Sequence, residues 1–438
     1  MKRNQTVPNL LQSVFGVLFI AVLHVGVTMA QPQSPERGFN PGKSYLVSDI
    51  ETIARQSGNL MMNVPIGSLP PGRGEMSASL GLHYNSKLWD SLTVSDEEED
   101  PNYRDTVVLS KDGGWRYGYK YALDLEHKRG GLCISIEQGD YHYEKLNIVL
   151  PDGSKHALRL SGYTNADGYM EIYPDGKKAC NFLNDATFTG TITYYTTDGT
   201  YLRLEFEQDS DSDWANNPWT LYMPDGSRVH HSGTTTGTTQ TIYDRNGNYI
   251  DIIENAADSA YSNKKTTYIK DALDRKIVVV YNFNTNEDRI YSDGFGGQDM
   301  MIKVVWRDIR VRKTYNGCNL VPTMYGCGSL GLDKTISVVD EIHVPDVLDT
   351  TLKYEFDYNA DAATNPSNGW GEMSQVKIPS GAFADYAWAW DGGNNFATEK
   401  VLRNRPISKS LTYLKEYDGQ STTQTDTWTY SVTQFSLP

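Results

Sequence analysis

The chain has 438 residues, of which 39% are hydrophobic, 22% charged and 11% aromatic. These proportions exclude a fully disordered chain and a membrane protein with several spans. The net charge of −15 argues against a nucleic-acid-binding protein, because such a protein needs a basic face to neutralise phosphates.

The first thirty residues have the features of a secretory signal peptide. Lys2 and Arg3 give a basic start, an apolar run covers residues 14–27, and Thr28 and Ala30 supply the small residues of a cleavage site. The apolar run is shorter than the roughly 20 residues that a membrane-spanning helix needs. We therefore expect cleavage near Ala30, which leaves a secreted or cell-envelope protein of net charge −17 with no transmembrane span.

The rest of the chain divides into three predicted parts. Residues 31–105 form an extended leader and an entry segment, which includes a solvated acidic loop at 96–100. Residues 106–290 contain regularly spaced hairpin turns, with a flexible Thr/Gly-rich connection at 232–241. Residues 291–438 continue the β pattern up to the last residues, as expected for a truncated β region.

Apolar and polar residues alternate along most of the chain, which predicts strands that bury one face and expose the other to water. Leu204 and Phe206, for example, alternate with Arg203 and Glu205. Three further alternating sets of large side chains are Trp115, Tyr117, Tyr119, Tyr121, Leu123 and Leu125; Leu352, Tyr354, Phe356 and Tyr358; and Trp428, Tyr430 and Val432. The sequence therefore predicts an all-β fold built from antiparallel sheets.

Asp-Gly and Asn-Gly turns recur at nearly regular intervals. Their glycines are Gly153, Gly176, Gly199, Gly226 and Gly247, separated by 23, 23, 27 and 21 residues. Such dipeptides supply the positive φ angles that tight hairpin turns require. The spacing leaves room for two strands per repeat, and it predicts antiparallel hairpins that bury their faces against their neighbours in an extended or curved sheet.

Two of these segments resemble the tyrosine–aspartate (YD) repeat of the RHS family. Residues 242–248 read Ile-Tyr-Asp-Arg-Asn-Gly-Asn, and residues 271–277 read Asp-Ala-Leu-Asp-Arg-Lys-Ile, with Asp274 where the family usually has glycine. Residues 58–60, 64–65, 69–74 and 82–86 are similar to the entry segment that precedes the repeats in secreted bacterial members. The resemblance implies a partial RHS-type shell, in which a long β-sheet spirals around a hollow interior. In this family the shell often carries a C-terminal toxin domain, and some members are adhesion or carbohydrate-contacting proteins.

Four cysteines are present, and an exported protein can oxidise them. Cys318 and Cys327 flank a short segment containing Pro322, and we predict a disulfide between them. Cys133 and Cys180 are either a second pair or buried thiols.

No motif in the sequence predicts catalysis or cofactor binding. The chain contains no complete phosphate-binding loop, nucleophile elbow or zinc-binding His-Glu-x-x-His motif. Asp209, Asp211 and Asp213 are consistent with an irregular calcium site or with a solvated acidic turn.

Tyr386, Trp388 and Trp390 share one strand face, separated only by alanines. Such a row of flat rings either stacks on a ligand such as a sugar or packs in the core.

The leading hypothesis is therefore an exported, non-enzymatic β-repeat scaffold or cell-surface interaction protein. Its partners would be a cell-surface glycan or protein, or an encapsulated toxin segment. The alternatives are a secreted protein that binds or cleaves carbohydrate, and the truncated shell of a polymorphic toxin.

Overall fold

The computed structural model confirms the predicted all-β class, and its sheets are antiparallel. It describes residues 44–46, 50–54, 58–72, 74, 76–95, 103–134, 141–159, 190–196, 198–208, 217–293, 299–316, 329–345, 352–359, 369–389, 405–417 and 420–430. In this part of the chain the helical structure is a 3-10 turn at Ser259–Tyr261 and the 3-10 conformation of Gly74.

The N-terminal part forms a small five-stranded sheet in the order β1-β2-β3-β4-β7, with a separate hairpin of β5 and β6 inserted before its last strand. The strands are β1 Ser44–Leu46, β2 Glu51–Ala54, β3 Leu60–Ser68, β4 Ser79–Asn85, β5 Trp89–Ser95, β6 Tyr103–Leu109 and β7 Gly114–Gly118. The small sheet therefore includes strands on both sides of residue 105.

The rest of the chain forms one long series in which each strand pairs antiparallel with the next. Its strands are β8 Ala122–Ile134, β9 Tyr141–Val149, β10 Lys155–Arg159, β11 Gly190–Thr196, β12 Arg203–Gln208, β13 Trp219–Tyr222, β14 Arg228–His231, β15 Gly237–Tyr243, β16 Tyr249–Asp258, β17 Lys264–Asp271, β18 Lys276–Asn284, β19 Glu287–Asp293, β20 Asp299–Asn316, β21 Ser329–His343, β22 Lys353–Tyr358, β23 Met373–Lys377, β24 Phe383–Ala389, β25 Arg405–Tyr417 and β26 Gln420–Thr429.

One turn geometry recurs along this series. In the five-residue turns at 150–154, 223–227, 244–248, 271–275 and 378–382, the first N–H donates to the fifth carbonyl and the fourth N–H donates to the first carbonyl. The fourth residue has a positive φ of 68–88° in every case, and it is Gly153, Gly226, Gly247, Asp274 or Gly381. This is a type I turn followed by a left-handed residue, a common three-residue hairpin loop. The predicted turns at Gly153, Gly226 and Gly247 are confirmed, whereas Gly176 lies outside the described residues. Gly199 also has a positive φ of 89°, but its loop is longer, because the N–H of Thr196 donates to the carbonyl of Leu202.

The two YD-like segments form the same turn, and in both the residue at its first position is an aspartate. Its carboxylate accepts hydrogen bonds from the N–H groups of the third and fifth residues of the turn. One side-chain oxygen of Asp244 accepts hydrogen bonds from the N–H groups of Asn246 and Asn248, each 2.8 Å away. The carboxylate of Asp271 accepts in the same way from Leu273 at 2.9 Å and Arg275 at 3.0 Å. Asp274 takes the left-handed conformation at φ 68°, which aspartate tolerates better than most residues.

The main core lies between the small sheet and one face of the long series. Leu82 and Val64 of the small sheet are fully buried in it with Ile277 and Val338 of the long series. The small sheet contacts β18, where Ile277 lies against Gly67, and β25, where Lys409 binds Glu51, and the shared core also includes Ile252 of β16. The long series therefore curves around the small sheet, which packs against its inner face.

A second core lies beneath β8–β14, and it bears out the predicted alternation. Leu204 and Phe206 of β12 are completely buried, Arg203 and Glu205 are partly exposed, and the preceding Tyr201 is 78% exposed. This strand therefore buries one face and exposes the other, as an antiparallel sheet with one wet side requires.

Three predicted patterns differ from the structure. The 115–125 ladder is not one strand, because β7 ends at Gly118 in the small sheet and β8 begins at Ala122 in the long series. The predicted connection at 232–241 includes the first five residues of β15, which pairs with β14 and β16. Strand β26 is largely exposed on both faces and ends at Thr429, with Trp428 38% exposed; of the predicted set only Tyr430 packs against the main core, and Val432 lies outside the described residues.

Candidate functional site

A groove of about 660 Å³ lies at the seam between the small sheet and the long series. A groove of this size fits a small ligand. It is lined by strands β3 and β4, by the turn before β10, and by β19 and β20; the lining residues include Asn63, Pro65, Gly67, Gly81, His83, Gly118, Pro151, Asp152, Met300, Ile302 and Pro345.

The glycines of the groove make room for His83. Gly81 and Gly118 are direct partners on neighbouring strands. A Cβ atom at Gly118 would lie 2.6 Å from the carbonyl oxygen of Pro151 and would overlap Nε2 of His83. The imidazole therefore lies against bare backbone, and a larger residue at Gly118 would displace both the ring and the neighbouring turn.

Burial lowers the pKa of His83 to about 4, and the nearby positive charge of Arg116 acts in the same direction. The carboxylate of Asp152 opposes both effects without cancelling them. At neutral pH His83 is therefore uncharged, and it presents one hydrogen-bond donor and one acceptor at the groove.

We expect the protein to lose stability as the pH falls from about 6.5 to about 4. His83 has a lower pKa in the folded state than the ordinary value of 6.5, so unfolding takes up a proton in this interval. Above pH 6.5 His83 is neutral in both the folded and the unfolded state, and this residue does not change the free energy of unfolding. As the pH falls from 6.5 to about 4, the free energy of unfolding decreases by roughly a few kcal/mol at most. Chemical denaturation at a series of pH values measures it.

The matched variant is His83→Gln, which keeps a neutral polar group and should flatten the profile between pH 6.5 and 4. Part of the acid sensitivity should remain, because burial also lowers the pKa of His231 to about 4, with Lys120 acting in the same direction. An identical profile in the variant would contradict the assignment to His83.

The turn beside the groove carries a chain of hydrogen bonds that no sequence motif predicts. The Ser154 hydroxyl lies 2.9 Å from Nε2 of His156, and Nδ1 of His156 lies 2.5 Å from the carboxylate of Asp198. Serine, histidine and aspartate are connected in this order in hydrolytic triads. Asp198 is 42 residues from His156 in sequence. The pairing of β10 with β11 brings His156 and Asp198 together, and no motif within either segment predicts this contact.

The Ser154 hydroxyl closes a turn and is not placed to act as a nucleophile. It donates to Asp152 at 2.8 Å, and the Ser154 N–H donates to the same oxygen. The same bonding recurs at Asp225, whose carboxylate binds both the N–H and the hydroxyl of Ser227. Ser154 is also only 1% exposed. This aspartate–serine pair is therefore a repeated structural element of the hairpins.

Asp198 anchors the histidine in this arrangement. Burial tends to raise the pKa of Asp198, but hydrogen bonds from His156 and Thr200 outweigh it and lower the pKa below its usual value. A charged Asp198 and a buried His156 thus connect two neighbouring hairpins, and their role is to hold the start of the long series together.

Of the aromatic residues proposed from the sequence as a stacking surface, two are in the core. Tyr386 and Trp388 are 5% and 7% exposed. The Tyr386 hydroxyl donates to Glu51 of the small sheet, and Nε1 of Trp388 donates to the Met373 carbonyl at 2.8 Å. Both rings face the small sheet, so a ligand has no access to them in this structure. Trp390 lies outside the described residues.

The other candidate residues cannot be placed. Cys318, Cys327 and Cys180 lie outside the described residues, as do Asp209, Asp211 and Asp213. Within the described ranges no three histidine, cysteine, aspartate or glutamate side chains are arranged to hold a metal ion. None of the described helical structure is long and apolar enough to span a membrane.

No family model matches this chain, and no curated protein matches it.

Proposed function

We propose that this chain is an exported, non-enzymatic β-repeat scaffold of the RHS type that acts as an interaction protein outside the cell or at its surface. The observation that carries the proposal is the recurrence of one hairpin turn along a long antiparallel series, including both YD-like segments. Repeated hairpins that each pack against the next produce a large continuous surface, and such a surface suits binding to another macromolecule.

Several features support a scaffold more than an enzyme. The serine–histidine–aspartate chain is accounted for by a turn that also occurs at Asp225. The buried carboxylate of Glu51 in the small sheet binds Tyr386 and Lys409 of the long series and so serves packing. The signal-peptide pattern of residues 1–30 supports export, and an oxidised Cys318–Cys327 pair belongs to the same proposal.

Carbohydrate binding is the second candidate, and the groove beside His83 favours it. The groove combines apolar walls from Met300 and Ile302 with the hydrogen-bonding groups of His83 and Asn63. An apolar face with a few polar groups suits a sugar ring. The shell of a polymorphic toxin has less support, because in the described part of the chain the small sheet packs against the inner face of the long series, including β18 and β25.

Expression of the full-length gene in a bacterial host tests the export step. We expect the protein outside the cytoplasm with an N-terminus near Gln31, whereas a variant that lacks residues 2–30 stays in the cytoplasm. Sequencing of the N-terminus by mass spectrometry provides the readout. A cytoplasmic full-length chain that still contains Lys2 would contradict the proposal.

A glycan array with the secreted protein separates the two candidate functions. Binding that is lost when Ser79→Trp fills the groove would support carbohydrate recognition at that site. Thr423→Trp, which adds the same ring at an exposed position outside the groove, is the control. Absence of glycan binding by a folded protein would favour a scaffold that contacts other proteins.

A further inference from the structure

A buried lysine lies between two aspartates near the start of the long series. Nζ of Lys155 is 2.5 Å from one carboxylate oxygen of Asp124 and 3.2 Å from an oxygen of Asp112. The side chains of Lys155, Asp112 and Asp124 are only 4%, 6% and 14% exposed. An amine and two carboxyl groups are therefore in direct contact and shielded from water.

Three different elements hold these groups in place. Lys155 is the first residue of β10 and pairs with Val149 of β9, which also pairs with Ala122 of β8. Asp124 lies two residues further along β8, so it approaches Lys155 across the intervening strand. Asp112 comes from the loop between β6 and β7, where its N–H donates to the Ser110 hydroxyl at 3.3 Å. The sheet thus fixes the lysine against the aspartate with little freedom to separate.

We propose that Lys155 and Asp124 condense without any other enzyme to form an intramolecular isopeptide bond, with Asp112 as the proton relay. The bond would link β8 to β10 covalently across β9. This inference is independent of the proposed function, because it concerns a modification of the chain and not its partner.

The chemistry needs only the groups present. Transfer of a proton from the Lys155 ammonium to the Asp124 carboxylate, whose atoms are in direct contact, gives a neutral amine and a carboxylic acid, the two groups that can condense. The nitrogen then attacks Cγ of Asp124. Asp112 takes a proton from the nitrogen and delivers it to the departing hydroxyl, so that a C–N bond forms, a C–O bond breaks and one water leaves. Nothing is oxidised or reduced.

The fixed positions of the two groups lower the activation barrier of the reaction. Two groups held in contact react as if at very high concentration, and here the β-ladder holds them before the reaction begins. The second oxygen of Asp124, on which negative charge develops, lies 3.7 Å from Nζ of Lys111. Lys111 is 80% exposed, so its stabilisation of this charge is a minor contribution.

The buried pair of Lys409 and Glu51 provides an internal comparison. These side chains are 3% and 2% exposed, and they are also in direct contact. The other described partner of Glu51 is the hydroxyl of Tyr386, so a second carboxylate for proton relay is not part of the described contacts. We expect Lys409 to stay unmodified, and an amide at Lys409 would contradict the role given to Asp112.

Mass spectrometry of the purified mature chain tests the proposal. Under denaturing and reducing conditions the intact mass should be lower than the mass of its sequence by one water. After digestion with trypsin, the peptide that contains Lys155 should be joined to the peptide that contains Asp124, with no cleavage after Lys155. A wild-type protein of full sequence mass after prolonged incubation in the folded state would overturn the proposal.

Three variants separate the roles. Lys155→Met should have its full sequence mass, and so should Asp112→Asn, which retains the shape of the relay but not its chemistry. Asp124→Asn should give a product identical in mass to the wild-type product, since the amide then forms with loss of ammonia in place of water. Circular dichroism checks that each variant is folded. A folded Asp112→Asn protein that cross-links as fast as wild type would exclude the relay, and a mass different from the wild-type product in cross-linked Asp124→Asn would exclude Asp124 as the bonded residue.

Discussion

Replacement of Trp388 by alanine is expected to lower the free energy of unfolding by about 3–5 kcal/mol, the usual cost of removing a large buried aromatic side chain. Trp388 is 7% exposed, it packs in the core shared with the small sheet, and its indole N–H satisfies the Met373 carbonyl at 2.8 Å. The variant leaves both a cavity and a buried carbonyl oxygen without this donor. Chemical denaturation followed by tryptophan fluorescence measures the change.

The control for Trp388 is Leu414→Ala on the neighbouring strand β25. Leu414 is 69% exposed, so its truncation should change the stability by less than about 0.5 kcal/mol. This comparison distinguishes the two interpretations of the aromatic row, because a ring that only stacks on a ligand would contribute little to folding. A Trp388→Ala protein as stable as the wild type would therefore favour a ligand surface.

Removal of Glu51 is expected to have a similarly large effect. Glu51 of β2 binds Lys409 of β25 and accepts a hydrogen bond from Tyr386 of β24. Burial, together with the adjacent Glu51 carboxylate, raises the pKa of Tyr386 well above its usual range, so its hydroxyl stays protonated as a donor. In Glu51→Ala the Lys409 ammonium remains buried 5.5 Å from the Trp428 ring and has no carboxylate partner. A loss of about 3–5 kcal/mol is expected for such an uncompensated buried charge.

A double replacement tests whether that loss comes from the unpaired charge. Glu51→Met combined with Lys409→Met substitutes apolar side chains of similar volume, and such exchanges of a buried ion pair are often neutral or stabilising. The double variant should therefore be more stable than Glu51→Ala. If it is equally unstable, the loss comes from packing between β2 and β25 and not from charge.

The local structure of the hairpins could be predicted from sequence because their turns depend on residues close together in the chain. Gly153, Gly226 and Gly247 provide the left-handed conformation that the fourth position of the turn needs, and each sits in a recognisable Asp-Gly or Asn-Gly pair. The turn at 271–275 shows the limit of this rule, since Asp274 occupies the same conformation without being glycine. Its aspartate at the first position was the better indicator.

The alternation of apolar and polar residues predicted burial correctly where one face of a strand is exposed to water. It misled where the alternating residues do not belong to one strand. Leu204 and Phe206 are buried as predicted, because β12 packs on one side only. The aromatic residues at 115–121 alternate just as regularly, yet they span the connection between two sheets. Alternation shows that neighbouring side chains point to opposite sides, but it does not show which sheet a strand joins.

By itself the sequence determined the all-β class, the antiparallel hairpins and the conformation of their turns, because each depends on the period of side chains or on φ angles within a few residues. Only the tertiary structure decided which surfaces are covered. It placed Trp388 against the small sheet, brought His156 to Asp198, and put Lys155 between Asp112 and Asp124. These contacts join residues that are distant in sequence. They depend on how the long series curves around the small N-terminal sheet, and no local sequence pattern encodes this curvature.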